Sequence, residues 1–114
     1  MSVIRIALSV AIVALATSAA ADGIGFKTDW LLKNCKAKNA LCAGYVGGVV
    51  DTYLALMAVQ AINKVFCFPG PISVGQEAEI FVRHAEVDPS NLDGEASIAV
   101  MDSLSKTFPC KSAN

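Results

Sequence analysis

Residues 41–66, LCAGYVGGVVDTYLALMAVQAINKVF, form the longest apolar-periodic stretch of the chain. Tyr45, Val46, Val49, Val50, Tyr53, Leu54, Leu56, Met57, Ala61 and Ile62 cover most of a helix's circumference. The spacing therefore predicts a central helix from about Leu41 to Phe66. Gly44, Gly47 and Gly48 each cost roughly 1 kcal/mol relative to Ala in a helix, a penalty that makes sense where another backbone packs closely on that side. Asp51 follows one turn later. A membrane span from Leu41 to Ile62 with a Gly44-x-x-x-Gly48 contact face is the rival reading. Against it, Asp51 near the middle costs roughly 2.5 to 3.5 kcal/mol, and Gln60 adds to that.

The flanking segments are shorter and also helical in period. Thr28, a possible N-cap, opens a helix to about Cys35, in which Trp30, Leu31 and Leu32 are enough to bury a short element. Ser73-Val74-Gly75-Gln76 has the form of a capping box, Ser73 and Gln76 each satisfying a free amide of the other. Beyond it Val74, Ala78, Phe81, Val82 and Ala85 make an apolar face, while Gln76, Glu77, Glu79, Arg83, His84 and Glu86 make the outer one. After Asp88-Pro89-Ser90-Asn91 a fourth helix carries Asp93 and Glu95 in its first turn and buries Leu92, Ala96, Ala99, Val100, Leu104 and Phe108. Pro109 stops it.

Four helices with short connections predict an all-α, compact up-down bundle, and that topology selects a cysteine pairing. Cys35 and Cys42 fall at one end. Cys67 follows the second helix and Cys110 the fourth, so both fall at the other end. Crossed pairs would have to span a helix of about 25 residues, or roughly 37 Å. The expected bonds are Cys35 with Cys42 and Cys67 with Cys110. A zinc site is a poor alternative, because there is no Cys-x-x-Cys spacing and His84 is the single histidine.

The chain has 114 residues, 54% of them hydrophobic, with nine Lys+Arg against ten Asp+Glu. That length bounds it to one domain, the apolar share excludes a disordered polar chain, and the charge balance leaves no cationic excess for nucleic acid or anionic membrane. Part of the apolar share reads as an address. Arg5 precedes an apolar run from Ile6 to Ala16, and Thr17-Ser18-Ala19-Ala20-Ala21 offers an Ala-x-Ala site. Residues 1–21 are therefore expected to be a secretory signal cleaved after Ala21, leaving a single helical domain over residues 22–114. An uncleaved anchor needs a longer span than this run supplies. Four cysteines in the exported part agree with an oxidising compartment.

Catalytic chemistry is hard to assemble from these residues. Disulfides take the thiols, and His84 is the one imidazole, on a face whose carboxylates are equally explained by solvation. The Gly44 to Gly48 stretch lacks the Lys-Ser/Thr of a phosphate loop. No enzyme activity, cofactor or metal is expected. The stretch from Glu86 to Glu95 stands out, with Glu86, Asp88, Asp93 and Glu95, no cation, and Pro89 to stiffen it: solvated helix caps or a partner-binding loop.

Taken in order, these features resemble the Rap/Tai-type immunity proteins that protect bacteria from type VI secretion amidase effectors. The resemblance covers nearly the whole expected mature chain. It is carried by Cys35, by Cys42-Ala43-Gly44-Tyr45-Val46-Gly47-Gly48-Val49-Val50-Asp51, by Phe66-Cys67-Phe68-Pro69 with the downstream Gln76, and by Phe108-Pro109-Cys110. It implies an all-helical periplasmic protein, often a homodimer, that binds and inhibits a peptidoglycan-cleaving amidase by covering or entering its cleft. Gly44, Tyr45, Gly48, Asp51, Gln76 and Pro109 would then be scaffold, with a Gly-mediated helix crossing and hydrogen-bonding roles for Tyr45 and Asp51. Where the family has a His-Pro-like step, this chain has Val87-Asp88-Pro89. Asp88, Ser90, Asn91 and Asp93 are the expected partner contacts, since polar side chains on a stiff loop could meet a catalytic Cys-His pair. The alternative is a non-inhibitory periplasmic binding or envelope-stress protein on the same scaffold.

Overall fold

The computed structural model describes residues 25–111, so the expected signal segment and its cleavage site lie outside the described residues. Four helices follow one another: α1 (Thr28–Lys36), α2 (Ala40–Ala58), α3 (Val74–Val87) and α4 (Ala96–Thr107), with one turn of 3-10 helix at Pro89–Asn91 between α3 and α4. The class is all-α, and every pair of the four helices is in contact. Leu31, Val46, Phe81, Val100 and Leu104 are fully enclosed where the helices meet. Both expected disulfides form, Cys35 to Cys42 across the α1–α2 turn and Cys67 to Cys110 between the segments that leave α2 and α4.

Both helix ends that precede an irregular turn are closed by the same device. At the end of α1 the Lys38 amide donates to the Cys35 carbonyl at 3.1 Å and the Asn39 amide to the Asn34 carbonyl at 3.4 Å, with Lys38 at φ 53°. At the end of α2 the Gln60 amide donates to the Met57 carbonyl at 3.0 Å and the Ala61 amide to the Leu56 carbonyl at 2.9 Å, with Gln60 at φ 58°. These are Schellman closures with Lys and Gln in the left-handed position usually held by Gly. The second one corrects the expected extent of the central helix, which stops at Ala58 instead of continuing to Phe66.

The irregular segment that follows is fastened by Tyr53. Its hydroxyl donates to the Phe66 carbonyl at 2.7 Å and accepts from the amides of Val65 and Phe66 at 3.0 and 3.2 Å. Its ring stacks on Phe66 with centroids 4.0 Å apart, and Phe66, Phe68 and Phe108 continue the aromatic row to the end of α4. There the Cys67 amide donates to the Phe108 carbonyl at 2.9 Å, beside the Cys67–Cys110 bond.

α1 starts differently from the expectation. Thr28 is the first helical residue and Lys27 the N-cap, without a side-chain cap. The free amides of Thr28 and Asp29 donate instead to the carbonyls of Gly94 and Leu92 at 2.9 and 3.0 Å, and the Thr28 hydroxyl also donates to Gly94. The segment 92–95 is thus used as a cap for α1. That use holds Asp93 and Glu95 outside α4, which begins only at Ala96, so neither lies in its first turn.

α3 has the expected capping box: the Ser73 hydroxyl accepts from the Gln76 amide at 3.1 Å and the Gln76 side chain accepts from the Ser73 amide at 2.9 Å. Its faces are largely the expected ones, with Phe81 and Ala85 buried, Ala78 and Val82 packed against the core and Gln76, Glu79, Arg83 and Glu86 exposed, and two residues depart from them. Glu77 is buried with Ile80, Phe81 and Ala85, while Val74 is exposed.

Candidate partner-binding site

The segment that joins α3 to α4 is ordered by Asp88. This residue follows α3 and caps the 3-10 turn, its carboxylate accepting from the Ser90 amide at 3.3 Å, from the Ser90 hydroxyl and from the Asn91 side-chain amide at 3.2 Å. Pro89 supplies the first residue of that turn with φ already set. The Ser90 hydroxyl, followed by the Ser90 amide, holds the fully exposed Asp88 carboxyl below the usual carboxylate range. Three of the four expected contact residues therefore form one hydrogen-bonded turn, and Asp93 lies exposed just after it.

This turn forms one wall of a concavity of about 380 Å³ between α3 and α4. Asp88 and Asn91 line it together with His84, Glu95, Asp102 and Lys106. Lys106 pairs with Asp102 at 2.7 Å, and the hydrogen bond to Asp102, aided by its charge, raises the lysine above its ordinary value. The Thr107 hydroxyl donates to the Ser103 carbonyl at 3.0 Å, which leaves its oxygen to accept from His84 Nε2 at 3.1 Å. Ile98, 66% exposed, adds an apolar side chain to the lining. The arrangement has carboxylates in excess over cations, is hydrogen-bonded on the loop side and is open to solvent, so it is suited to receiving polar or cationic side chains of another protein.

A second surface is apolar. A shallow groove of about 530 Å³ runs along α2 beside α4, lined by Gly44, Tyr45, Gly48, Val49, Leu56 and Met101, with no Asp, Glu, Lys or Arg among its lining residues. A Cβ on Gly44 or on Gly48 would meet no neighbouring atom within 4 Å. These two glycines therefore make no close helix crossing within the described chain. The glycine that does meet another element is Gly47, where a Cβ would lie 3.4 Å from Val74 Cγ2 on α3.

The remaining motif residues take up different positions. Tyr45 packs edge-on against Phe26 and Trp30, which stack on each other at 4.1 Å. Neither Tyr45 nor Asp51 makes a side-chain hydrogen bond among the described residues; the tyrosine hydroxyl of α2 that does is that of Tyr53. Asp51 is exposed on α2, close enough to Glu77 for its charge to act on that residue. Gln76 serves the capping box, and Pro109 follows the end of α4.

Sequence reasoning placed the loop but missed the concavity it belongs to. His84, Glu95, Asp102 and Lys106 come together only through the packing of α3 on α4. The spacing of Asp102 and Lys106 was the one local signal, an (i, i+4) pair.

A family model described as Rap1a immunity proteins matches residues 27–110. No curated protein and no solved structure is significantly similar to the chain.

Proposed function

The chain belongs to the Rap1a immunity proteins, and from that premise we propose that it is exported to the periplasm, where it binds and inhibits a peptidoglycan-cleaving amidase delivered by type VI secretion. Membership makes it an immunity protein against a secreted effector, from a family that is generally non-enzymatic. The observation that carries the reading is the family match from Lys27 to Cys110, which spans all four helices and both disulfides. Two disulfides in so small a domain support an oxidising compartment, and hence cleavage of residues 1–21 on export.

The turn built on Asp88, Ser90 and Asn91, with Asp93 beside it, is the surface we assign to the effector. Its side chains are exposed but already ordered, so little entropy is lost when they are buried by a partner. The uncharged groove at Gly44 and Gly48 is assigned to a second copy of the chain. A surface without charge meets its own copy without repulsion, and the missing side chains let two helices approach closely.

The test is a pull-down with tagged protein folded in an oxidising compartment, against lysate and culture supernatant of the source bacterium. An amidase in the bound fraction, inhibited stoichiometrically in a peptidoglycan-cleavage assay, is the expected result. No amidase under conditions of active secretion would favour the non-inhibitory envelope protein.

A further inference from the structure

Glu77 stands in the first turns of α3, 4% exposed, and its Oε2 is buried without a hydrogen-bond partner among the described residues. A carboxylate with one oxygen in such a place is costly to keep ionised, because the water that would solvate that oxygen has been removed and no hydrogen bond replaces it. α2 and α3 approach each other nearby, where a Cβ on Gly47 would lie 3.4 Å from Val74 Cγ2, one turn earlier on α3.

The charged surroundings do not relieve the group. From α2 the charge that acts on it is that of Asp51, another carboxylate. Around the α1–α2 turn, Lys36 and Lys38 lie in a different groove, with Glu79, Arg83 and Glu86 of α3, where Lys36 pairs with Glu86 at 3.2 Å. α4 places Asp102 and Lys106 beside His84 and Asp88, toward the other end of α3.

We propose that Glu77 is a proton-binding site in the α2–α3 seam, with Asp51 as its like-charged neighbour, and that the fold tightens when Glu77 takes up a proton. Burial first, then the Asp51 charge, raises the Glu77 carboxyl above its ordinary value. The sign follows from linkage. Below the ordinary glutamate range the group is protonated whether the chain is folded or not, and the folded state bears no penalty. As pH rises through the raised folded-state value the carboxylate must be ionised inside the seam, and stability is lost. The inference rests on the seam alone and stands or falls independently of the immunity reading.

The experiment compares thermal and denaturant unfolding of the wild-type protein with Glu77→Gln and Asp51→Asn at fixed salt, from about pH 4 to about pH 9. Between the unfolded and folded titration points, the wild-type folding equilibrium should fall by up to about tenfold per pH unit relative to Glu77→Gln, which keeps the shape of the protonated form. Asp51→Asn should shift that fall to lower pH and make it smaller. Parallel stability profiles for wild type and Glu77→Gln would overturn the proposal. Should Glu77→Gln fail to fold, carboxyl-carbon NMR of the wild type decides: a Glu77 midpoint above those of Glu79, Glu86 and Glu95 supports the proposal, and one among them overturns it.

Discussion

The Tyr53 hydroxyl lies 2.7 Å from the Phe66 carbonyl, so a side chain in the last two turns of α2 secures the backbone thirteen residues further on. The same oxygen accepts from the amides of Val65 and Phe66, and this one hydroxyl therefore satisfies three backbone groups of a segment without secondary structure. Tyr53→Phe would keep the ring on Phe66 and remove only the hydroxyl. Phe66 is buried, so its amide and carbonyl would lose partners where solvent does not replace them. Chemical denaturation should show a loss of about 1 to 3 kcal/mol. A loss below the usual surface range would mean that the Cys67–Cys110 bond alone holds the segment.

That the hydrogen-bonding tyrosine of α2 is Tyr53 was not legible in the sequence, because a helix of nearly uniform apolarity does not say which of its sides faces the following loop. Cys35, Cys42, Cys67 and Cys110 were legible, since helix order alone separates the two ends of the bundle. Ser73 and Gln76 were legible because a capping box is local. Glu77 was misplaced on the outer face for the opposite reason. Its residue type suggested solvent, yet it lies three and four positions before Ile80 and Phe81 on the buried stripe. The cap on α1 left no trace at all, since carbonyls at Leu92 and Gly94 carry no residue-type signal.

Gln60 explains why the central helix was read too long. Gly or Asn would have announced the left-handed closure, whereas Gln adopts φ 58° only because the Schellman bonds hold it there. Gln60→Gly should relieve that strain, which is about 1 to 2 kcal/mol, partly offset by the greater freedom of glycine in the unfolded chain. The expected outcome is a small rise in Tm in a calorimetric scan. A fall would show that the Gln60 side chain makes a compensating interaction.

Cys67 and Cys110 close a loop with a sequence separation of 43. Replacing both with Ser should cost on the order of 4 kcal/mol through the unfolded state. The shorter bond, Cys35 to Cys42 with a separation of 7, should cost less when removed. Urea unfolding of the two double variants checks the order, and equal losses would mean that the longer bond strains the native chain or that the shorter one stabilises it further.

Gly44 and Gly48 separate the behaviour of the isolated chain from that of an assembly. With open space over both positions, Gly44→Ala and Gly48→Ala should each stabilise the helix by about 1 kcal/mol in a monomer. If a second copy seats its helix there, the added methyl groups obstruct the approach. Analytical ultracentrifugation should then show the double variant dissociating more readily than wild type while its monomer stays folded. A rise in stability with no change in oligomeric state would remove the groove from the assembly.

Asp88 is both a candidate contact and the organiser of its own turn, and the two roles are separable. Asp88→Asn retains a side-chain oxygen for the Ser90 amide, so it should leave the turn largely formed. Asp88→Lys combined with Asp93→Lys reverses the charge of the surface. Both residues are exposed, so this double variant should remain folded by circular dichroism while its inhibition of the effector amidase weakens at least tenfold, or about 1.4 kcal/mol. Acid acts on the same turn. A carboxyl held below its usual range by the Ser90 hydroxyl keeps its ordering effect above the ordinary Asp value and loses it as pH falls through the lowered one. Binding that depends on the ordered turn should accordingly be constant across neutral pH and decline only in strong acid. An inhibition constant unchanged by the double charge reversal would move the effector contact away from this loop, while leaving the family assignment as it stands.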